Sequence, residues 1–278
     1  METDEINDSR KLRVKRVGFH GQGTVFYASL PIPRAFSAGQ TRSMQETAEE
    51  KQSLVSSLWD HLMALSQPVG SLQPFGFGHA GGDSASLPIQ VVKGLLGRPH
   101  LLVGGRLGPA ISFCQGEGNI FAGLCADGSD MGIDAAHPRE FQGNYPLNRV
   151  FHPKELDHAL TMVNGRMEAA AALLWSVKEA VVKALGCAFH LMGPRQMMVY
   201  PSRRKDSDKG QEHDFCVGVS EKATMRFPMA GHMTGDRSVW VRSFFHKKMW
   251  FSIALLNPQP RYADRPGRFI PHFSERNH

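Results

Sequence analysis

The chain has 278 residues, of which 41% are hydrophobic and 21% charged, so it can bury a core as one large domain or two of ordinary size. Its formal net charge of +6 suggests an anionic partner, such as a nucleotide, a nucleic acid or an acidic protein. No apolar run approaches the ~18 residues that a membrane-spanning helix needs, and the polar opening residues do not resemble a signal peptide. We therefore expect a cytoplasmic protein without a membrane span.

Cysteine and histidine are present but are not grouped as common zinc sites require. The four cysteines, at positions 114, 125, 187 and 216, include no Cys-x-x-Cys pair, and the thirteen histidines show no His-Glu-x-x-His pattern. The sequence therefore predicts free thiols and argues against a zinc site or a disulfide framework.

Alternating and apolar runs predict a mixture of strands and helices. Two β-rich runs between residues 14 and 30 surround Gly21-Gln22-Gly23 and predict a hairpin, because a phosphate-binding loop needs a helix directly after it. A leucine stripe predicts a helix over 43–66, opened by a capping box of Ser43 and Glu46. The other predicted elements are a strand or helix at 88–96, a turn at 97–100, strands at 110–114, 120–126, 131–134, 196–200 and 215–219, a helix at 153–164, and a final hairpin of 239–245 and 249–256.

Residues 171–186 form the strongest predicted helix. The segment is rich in Ala, Leu, Lys and Glu, lacks proline and ends at Gly186, which is typical of a helix with a glycine C-cap. Its apolar residues recur at helical spacing and predict one buried stripe. Glu179 and Lys183 are four residues apart on a neighbouring face, where an exposed ion pair is the simplest interpretation.

Three separated motifs give this helix a second interpretation. They are Gly97-Arg98-Pro99, Gly132-Ile133-Asp134 and, within 175–186, Trp-x-x-Lys-Glu-Ala-x-x-Lys-x-x-Gly. In this order and at these distances they resemble the 4'-phosphopantetheinyl transferase superfamily, in particular its larger, two-halved Sfp-type members. Phe151 and Glu155 match the Phe-x-x-x-Glu that usually precedes the last motif. The resemblance covers residues from about 97 to 190.

The resemblance implies an enzyme that transfers 4'-phosphopantetheine from coenzyme A to a serine of an acyl or peptidyl carrier protein, as fatty acid, polyketide and nonribosomal peptide synthesis require. It implies that Asp134 and Glu179 bind Mg²⁺, and that Glu179 is also the catalytic base for the serine. It implies further that Lys183 is catalytic, by neutralising phosphate charge, and that Arg98, Lys178 and Lys183 contact coenzyme A. Mg²⁺, coenzyme A and a carrier protein are therefore the expected cofactor, substrate and partner.

Two positions depart from the family pattern. Many Sfp-type members have a second acid two residues after the aspartate, where this chain has Ala136. The histidine that contacts coenzyme A is absent, because Phe113 or Cys114 stands in its place under either possible alignment. Gln115 is a candidate to complete the Mg²⁺ shell, and a surface-turn glutamine is an equally good interpretation of it.

The resemblance also implies an α+β fold of two pseudo-related halves, each a small antiparallel sheet packed against a long helix, with the active cleft between them. We expect the halves at 14–130 and 131–257, with flexible ends at 1–13 and 258–278. An alternative is a degenerate, non-catalytic homologue that binds a carrier protein or coenzyme A. A nucleic-acid binder rests on net charge alone, without an aromatic and basic motif, and we expect no nucleic-acid partner.

Overall fold

The computed structural model describes residues 12–19, 23–32, 44–66, 87–187, 189, 191–202, 212–220, 223 and 239–256. Ser43 of the predicted capping box, Gly21-Gln22 of the predicted turn and nearly all of the predicted flexible ends lie outside these residues. None of the described helices combines the length and apolar character that crossing a membrane requires.

The described elements confirm the predicted α+β class. In chain order they are β1 (Lys15–Phe19), β2 (Gly23–Pro31), α1 (Met44–Ser66), β3 (Ile89–Lys93), β4 (Pro99–Val103), β5 (Arg106–Leu107), β6 (Ile111–Gly116), β7 (Asn119–Cys125), β8 (Met131–Ala136), α2 (Leu147–Val150), α3 (Pro153–Met162), α4 (Met167–Ala184), β9 (Met197–Pro201), β10 (Glu212–Val219), β11 (Val239–His246) and β12 (Met249–Leu255).

The first sheet has four antiparallel strands in the order β1-β2-β7-β6, with α1 packed on one face. The antiparallel pairing of β1 with β2 confirms the predicted hairpin. Leu54, Leu58 and Leu62 of α1 are buried against this sheet, so the leucine stripe faces the core as its spacing predicts. A small sheet of β3, β4 and β5 lies beside them.

The predicted turn at 97–100 is wrong in its second part, because β4 already begins at Pro99. Leu101 and Val103 alternate with less buried neighbours and are themselves fully buried, which is the pattern of a strand with one face on the core. Proline is tolerated at the first residue of a strand, so it does not mark the middle of a turn here.

The second sheet has five antiparallel strands in the order β8-β12-β11-β10-β9, and α4 covers one of its faces. Its other face packs on the first sheet, where the ring of Phe251 stacks on Tyr27 and also contacts Phe121, each at 5.1 Å between centroids. At the edge of this interface β6 lies next to β8, since the Ile133 amide donates a hydrogen bond of 3.1 Å to Ser112 Oγ. The two sheets therefore meet at a seam between β6 and β8.

Helix α4 approaches β8 closely because Gly132 has no side chain. A Cβ atom at this position would lie 2.0 Å from the Ala180 carbonyl oxygen and 2.6 Å from the Ala184 amide nitrogen. Buried alanines, including Ala180 and Ala184, continue the small surface along the helix. The glycine of the Gly-Ile-Asp motif thus sets the distance between the strand and the helix that carry Asp134, Glu179 and Lys183.

We expect Gly132→Ala to destabilise the fold by at least about 2 kcal/mol, because the added methyl group overlaps backbone atoms that cannot move independently. Urea unfolding of the purified protein measures this change. Gly18→Ala is the matched control, since a Cβ on that β1 residue meets nothing within 4 Å. Equal stability of the two variants would contradict the close contact.

Candidate active site

The ammonium group of Lys183 lies at the seam and contacts both sheets. It donates hydrogen bonds of 2.8 Å to Asp134 Oδ1, 3.1 Å to the Ile133 carbonyl on β8 and 3.3 Å to the Phe113 carbonyl on β6. Burial acts to lower the pKa of Lys183, but Asp134 and Glu179 outweigh it and raise that pKa above its usual value. Lys183 is therefore a firmly charged group that joins the two sheets.

Asp134 and Glu179 place two carboxyl groups beside this ammonium. The Asp134 side chain is 8% exposed, and burial, together with the nearby negative charge of Glu179, raises the pKa of Asp134 to about 7 against the opposing effect of Lys183. The two carboxyl groups are close enough to share a hydrogen bond. Glu179 Oε2 lies 3.8 Å from Lys183 Nζ, and its side chain is 29% exposed. The predicted pair of Glu179 and Lys183 is thus joined by a third, buried group, the carboxyl group of Asp134.

The two carboxyl groups suit Mg²⁺, because two like charges held together in a partly buried place favour a cation between them. No group of three or more His, Cys, Asp or Glu side chains able to hold a metal occurs in the part of the chain that the structure describes. Mg²⁺ commonly takes only one or two carboxylates from a protein and completes its shell with water and substrate phosphates. The donor set therefore fits a cation that a phosphate-bearing substrate helps to hold.

Lys51 is a residue near the cluster that the sequence interpretation missed. Its ammonium lies 5.5 Å from the centroid of the Phe113 ring, while Lys183 binds the carbonyl of the same residue. Burial, followed by the positive charges of Lys93 and Lys183, lowers the pKa of Lys51. Lys51 of α1 and Lys183 of α4 thus both contact Phe113 beside the seam, and two positive charges held together favour an anion.

The position of Lys51 is fixed by its neighbour Gln52. The Gln52 amide donates to the Ile89 carbonyl and accepts from the Val91 amide, both at 2.9 Å, so α1 is held against the edge of β3. No local pattern identifies Lys51, because a lysine at the margin of a leucine stripe is usually solvated. Only the docking of α1 on β3 reveals it.

Arg98 lies at the C-terminal end of α4, one turn beyond Lys183. Its guanidinium pairs with Asp130 and packs over Gly186, where a Cβ atom would be 2.8 Å from an Arg98 nitrogen. Gly186 has a φ of +70°, so the predicted glycine end of the helix is confirmed. The structure thus brings Arg98 to the same helix end as the cluster, with one carboxylate partner already present.

The structure does not bring Lys178 to the cluster. Its side chain has no exposed surface, and its ammonium binds Glu155 Oε1 at 2.5 Å and the carbonyls of Pro194 and Met197 at 2.8 and 3.2 Å. The ammonium uses its donors on these buried partners, so the structure favours a structural role for Lys178 over the expected contact with coenzyme A. Glu155 of the Phe-x-x-x-Glu pattern serves as the buried counterion.

The positions that depart from the family pattern are explained by packing. Ala136 is 1% exposed in the core beneath α4, so position 136 contributes no carboxylate to the cluster. Phe113 packs against the core of the first sheet, and Cys114 is buried between the sheets. Burial raises the pKa of the Cys114 thiol. Gln115 is an exposed residue of β6 that pairs with Ile120, and it stays a candidate for the cation shell.

The fold and the site define an α+β protein with a carboxylate and lysine cluster at the seam of two antiparallel sheets. Residues 130–217, less than half of the chain, match the family model of the 4'-phosphopantetheinyl transferase superfamily. This matched segment includes Asp134, Glu179 and Lys183. No curated protein matches the chain. Among solved structures the chain is similar to a Chronobacterium ammoniagenes ACPS-CoA complex, with 19% identity over 47% of this chain and 98% of that chain, at a TM-score of 0.37. A likeness of this degree carries no argument about function.

Proposed function

We propose that this protein is an Sfp-type 4'-phosphopantetheinyl transferase, acting in the cytoplasm, that moves phosphopantetheine from coenzyme A to a serine of a carrier protein. The observation that carries the proposal is the convergence of Asp134, Glu179 and Lys183, all from motifs within the matched segment, at one seam. The packing of α1 on the first sheet and of α4 on the second supports the proposed halves at 14–130 and 131–257.

Glu179 is the better candidate for the base that takes the proton of the carrier serine. The Asp134 side chain is 8% exposed and bound by Lys183, whereas the Glu179 side chain is 29% exposed and accessible to an incoming hydroxyl. Asp134 and Glu179 would hold Mg²⁺, which when bound neutralises negative charge on the pyrophosphate of coenzyme A. The more exposed Glu179 would therefore act as base and cation ligand, and the buried Asp134 as cation ligand alone.

The cations around the seam would bind the negatively charged phosphates of coenzyme A. Lys183 is 31% exposed and faces the carboxylates, while Lys51 and Lys93 approach from the first-half side. Arg98 packs over Gly186, about one helical turn beyond Lys183 at the C-terminal end of α4. Lys51 and Lys93 would supply positive charge where the family's histidine is absent. The proposed binding surface therefore includes the first half as well as the matched segment.

A non-catalytic homologue is the second candidate. Ala136 packs in the core, and among the described residues no third His, Cys, Asp or Glu joins Asp134 and Glu179 as a metal site, which favours a protein that binds coenzyme A or a carrier without transfer. Such a protein would bind its ligand in calorimetry with little dependence on Mg²⁺.

The decisive experiment incubates the protein with coenzyme A, Mg²⁺ and a panel of apo carrier proteins and measures carrier mass. We expect one or more carriers to gain a phosphopantetheine group and the gain to vanish when EDTA removes the metal. A carrier with its acceptor serine changed to alanine is the control. Binding of coenzyme A without mass gain across a broad panel would instead support the non-catalytic candidate.

A further inference from the structure

A second group of cations lies away from the seam, at the tip of the β11–β12 hairpin. Its charges are those of Arg13, just before β1, of Lys15 at the start of β1, and of Lys247 and Lys248 of the hairpin; with the neighbouring His246 we call these residues the basic hairpin cluster. Arg13, Lys247 and Lys248 are exposed. The Lys15 ammonium is held over the Tyr27 ring at 5.7 Å from its centroid. The cluster thus draws its charge from both sheets.

The positive charges of this cluster act on one another. Burial, followed by the charges of Arg13 and Lys247, lowers the pKa of Lys15. Burial, followed by Lys15 and Lys247, lowers the pKa of His246. Within the described ranges no carboxylate pairs with any member of the cluster. An external anionic partner would relieve this repulsion.

The backbone at the hairpin tip is strained for the residues it carries. Lys247 and Lys248 have φ values of 49° and 64°, and β11 and β12 pair on either side of them, so they form a two-residue turn with left-handed backbone at both positions. Asn-Gly is the favoured pair for such a turn, and side chains longer than asparagine are disfavoured there. Two consecutive lysines in these positions indicate that their charge matters more than the stability of the turn.

The cluster is within reach of a macromolecule bound at the seam. Ser252 on β12 lies directly opposite Asp134 on β8, and Lys248 precedes it by four residues. At ~3.3 Å per residue the hairpin tip is about 13 Å along the strand from the carboxylates. A small protein domain that places a serine beside Glu179 spans this distance, whereas the basic hairpin cluster is not part of the seam itself.

We propose that the basic hairpin cluster docks an acidic surface of the carrier protein while its serine enters the seam. The proposal rests on the proposed function and names the partner surface for it. Charge complementarity of this kind acts mainly on association and on the KM for the carrier, and it is weakened by salt.

The test replaces the turn by its favoured sequence in the variant Lys247→Asn/Lys248→Gly. Because the substitution relieves the backbone and removes two charges, we expect the melting temperature to rise by about 2–4 °C while the KM for the carrier rises about tenfold. The KM for coenzyme A should stay unchanged, and the salt dependence of the carrier KM should flatten. Steady-state transfer kinetics with each substrate varied in turn measure these quantities.

Arg106→Gln/Lys154→Gln is the matched control, because it removes the same number of exposed charges from other surfaces. A carrier KM that is equal in the turn variant and the control, while the wild type transfers normally, would overturn the docking inference and leave the proposed function intact. Absence of transfer by the wild type, on any carrier, would overturn the proposed function and the docking inference with it.

Discussion

Glu179→Gln is expected to lower kcat for phosphopantetheine transfer by about 10²–10⁴-fold, because it removes the proposed base while keeping the size of the side chain. The same change removes one of the two carboxylates that would hold Mg²⁺. Transfer kinetics with mass detection measure the loss of kcat. Calorimetry with coenzyme A, run in parallel, separates a defect in chemistry from a defect in binding.

Glu168→Gln is the control for this variant, since it makes the same substitution on the exposed first turn of the same helix α4. It should transfer at the wild-type rate. If Glu179→Gln also transferred at that rate, neither the role as base nor the role as cation ligand would stand. If the wild type and both variants bind coenzyme A equally well and none of them transfers phosphopantetheine, the result would match the non-catalytic candidate.

Lys178→Met is expected to destabilise the protein by about 3–5 kcal/mol, because it leaves the carboxylate of Glu155 buried without a counterion. Glu155 also accepts from the His152 and Val199 amides, so it cannot move away to water. The double variant Lys178→Met/Glu155→Gln should recover part of the loss, since glutamine carries no charge, while its single oxygen can accept from only one of the two amides. Urea unfolding of the single and double variants measures both values.

The competing expectation for Lys178 is a contact with coenzyme A. Under that expectation Lys178→Met would raise the KM for coenzyme A and leave unfolding unchanged. The burial of Lys178 predicts the opposite pattern, with stability lost and the KM of the remaining folded enzyme unaffected. The two measurements together decide between the roles.

The sequence predicted most of the elements because their signals are local. Leucines at helical spacing in α1, alternating strands and Gly186 at the end of α4 act through neighbouring residues, and all three are present in the structure. The prediction of a turn over 97–100 was wrong in its second part. Proline favours a turn locally, but Pro99 begins β4 because this segment pairs with β3, which the local sequence does not reveal.

The site was less predictable, because it depends on which way each side chain of α4 faces. Lys178 and Glu179 are adjacent in the sequence, yet one turns into the core and the other toward the seam, since neighbouring residues are about 100° apart around a helix. The motif alone does not separate these roles. Lys51 and the basic hairpin cluster carry no motif, and they follow only from the packing of α1 on β3 and of β1 near the β11–β12 turn.

Lys183 links the carboxylate cluster to the docking of the two sheets. Its ammonium is bound to a carbonyl of β6, a carbonyl of β8 and the Asp134 carboxylate at the same time. If the two sheets separate, Lys183 loses the Phe113 carbonyl and keeps its contacts with Ile133 and Asp134, so its ammonium is held less firmly beside the carboxylates. A partly folded chain with only the second sheet formed therefore holds every motif residue of α4 and still lacks the part of the cluster's support that β6 supplies.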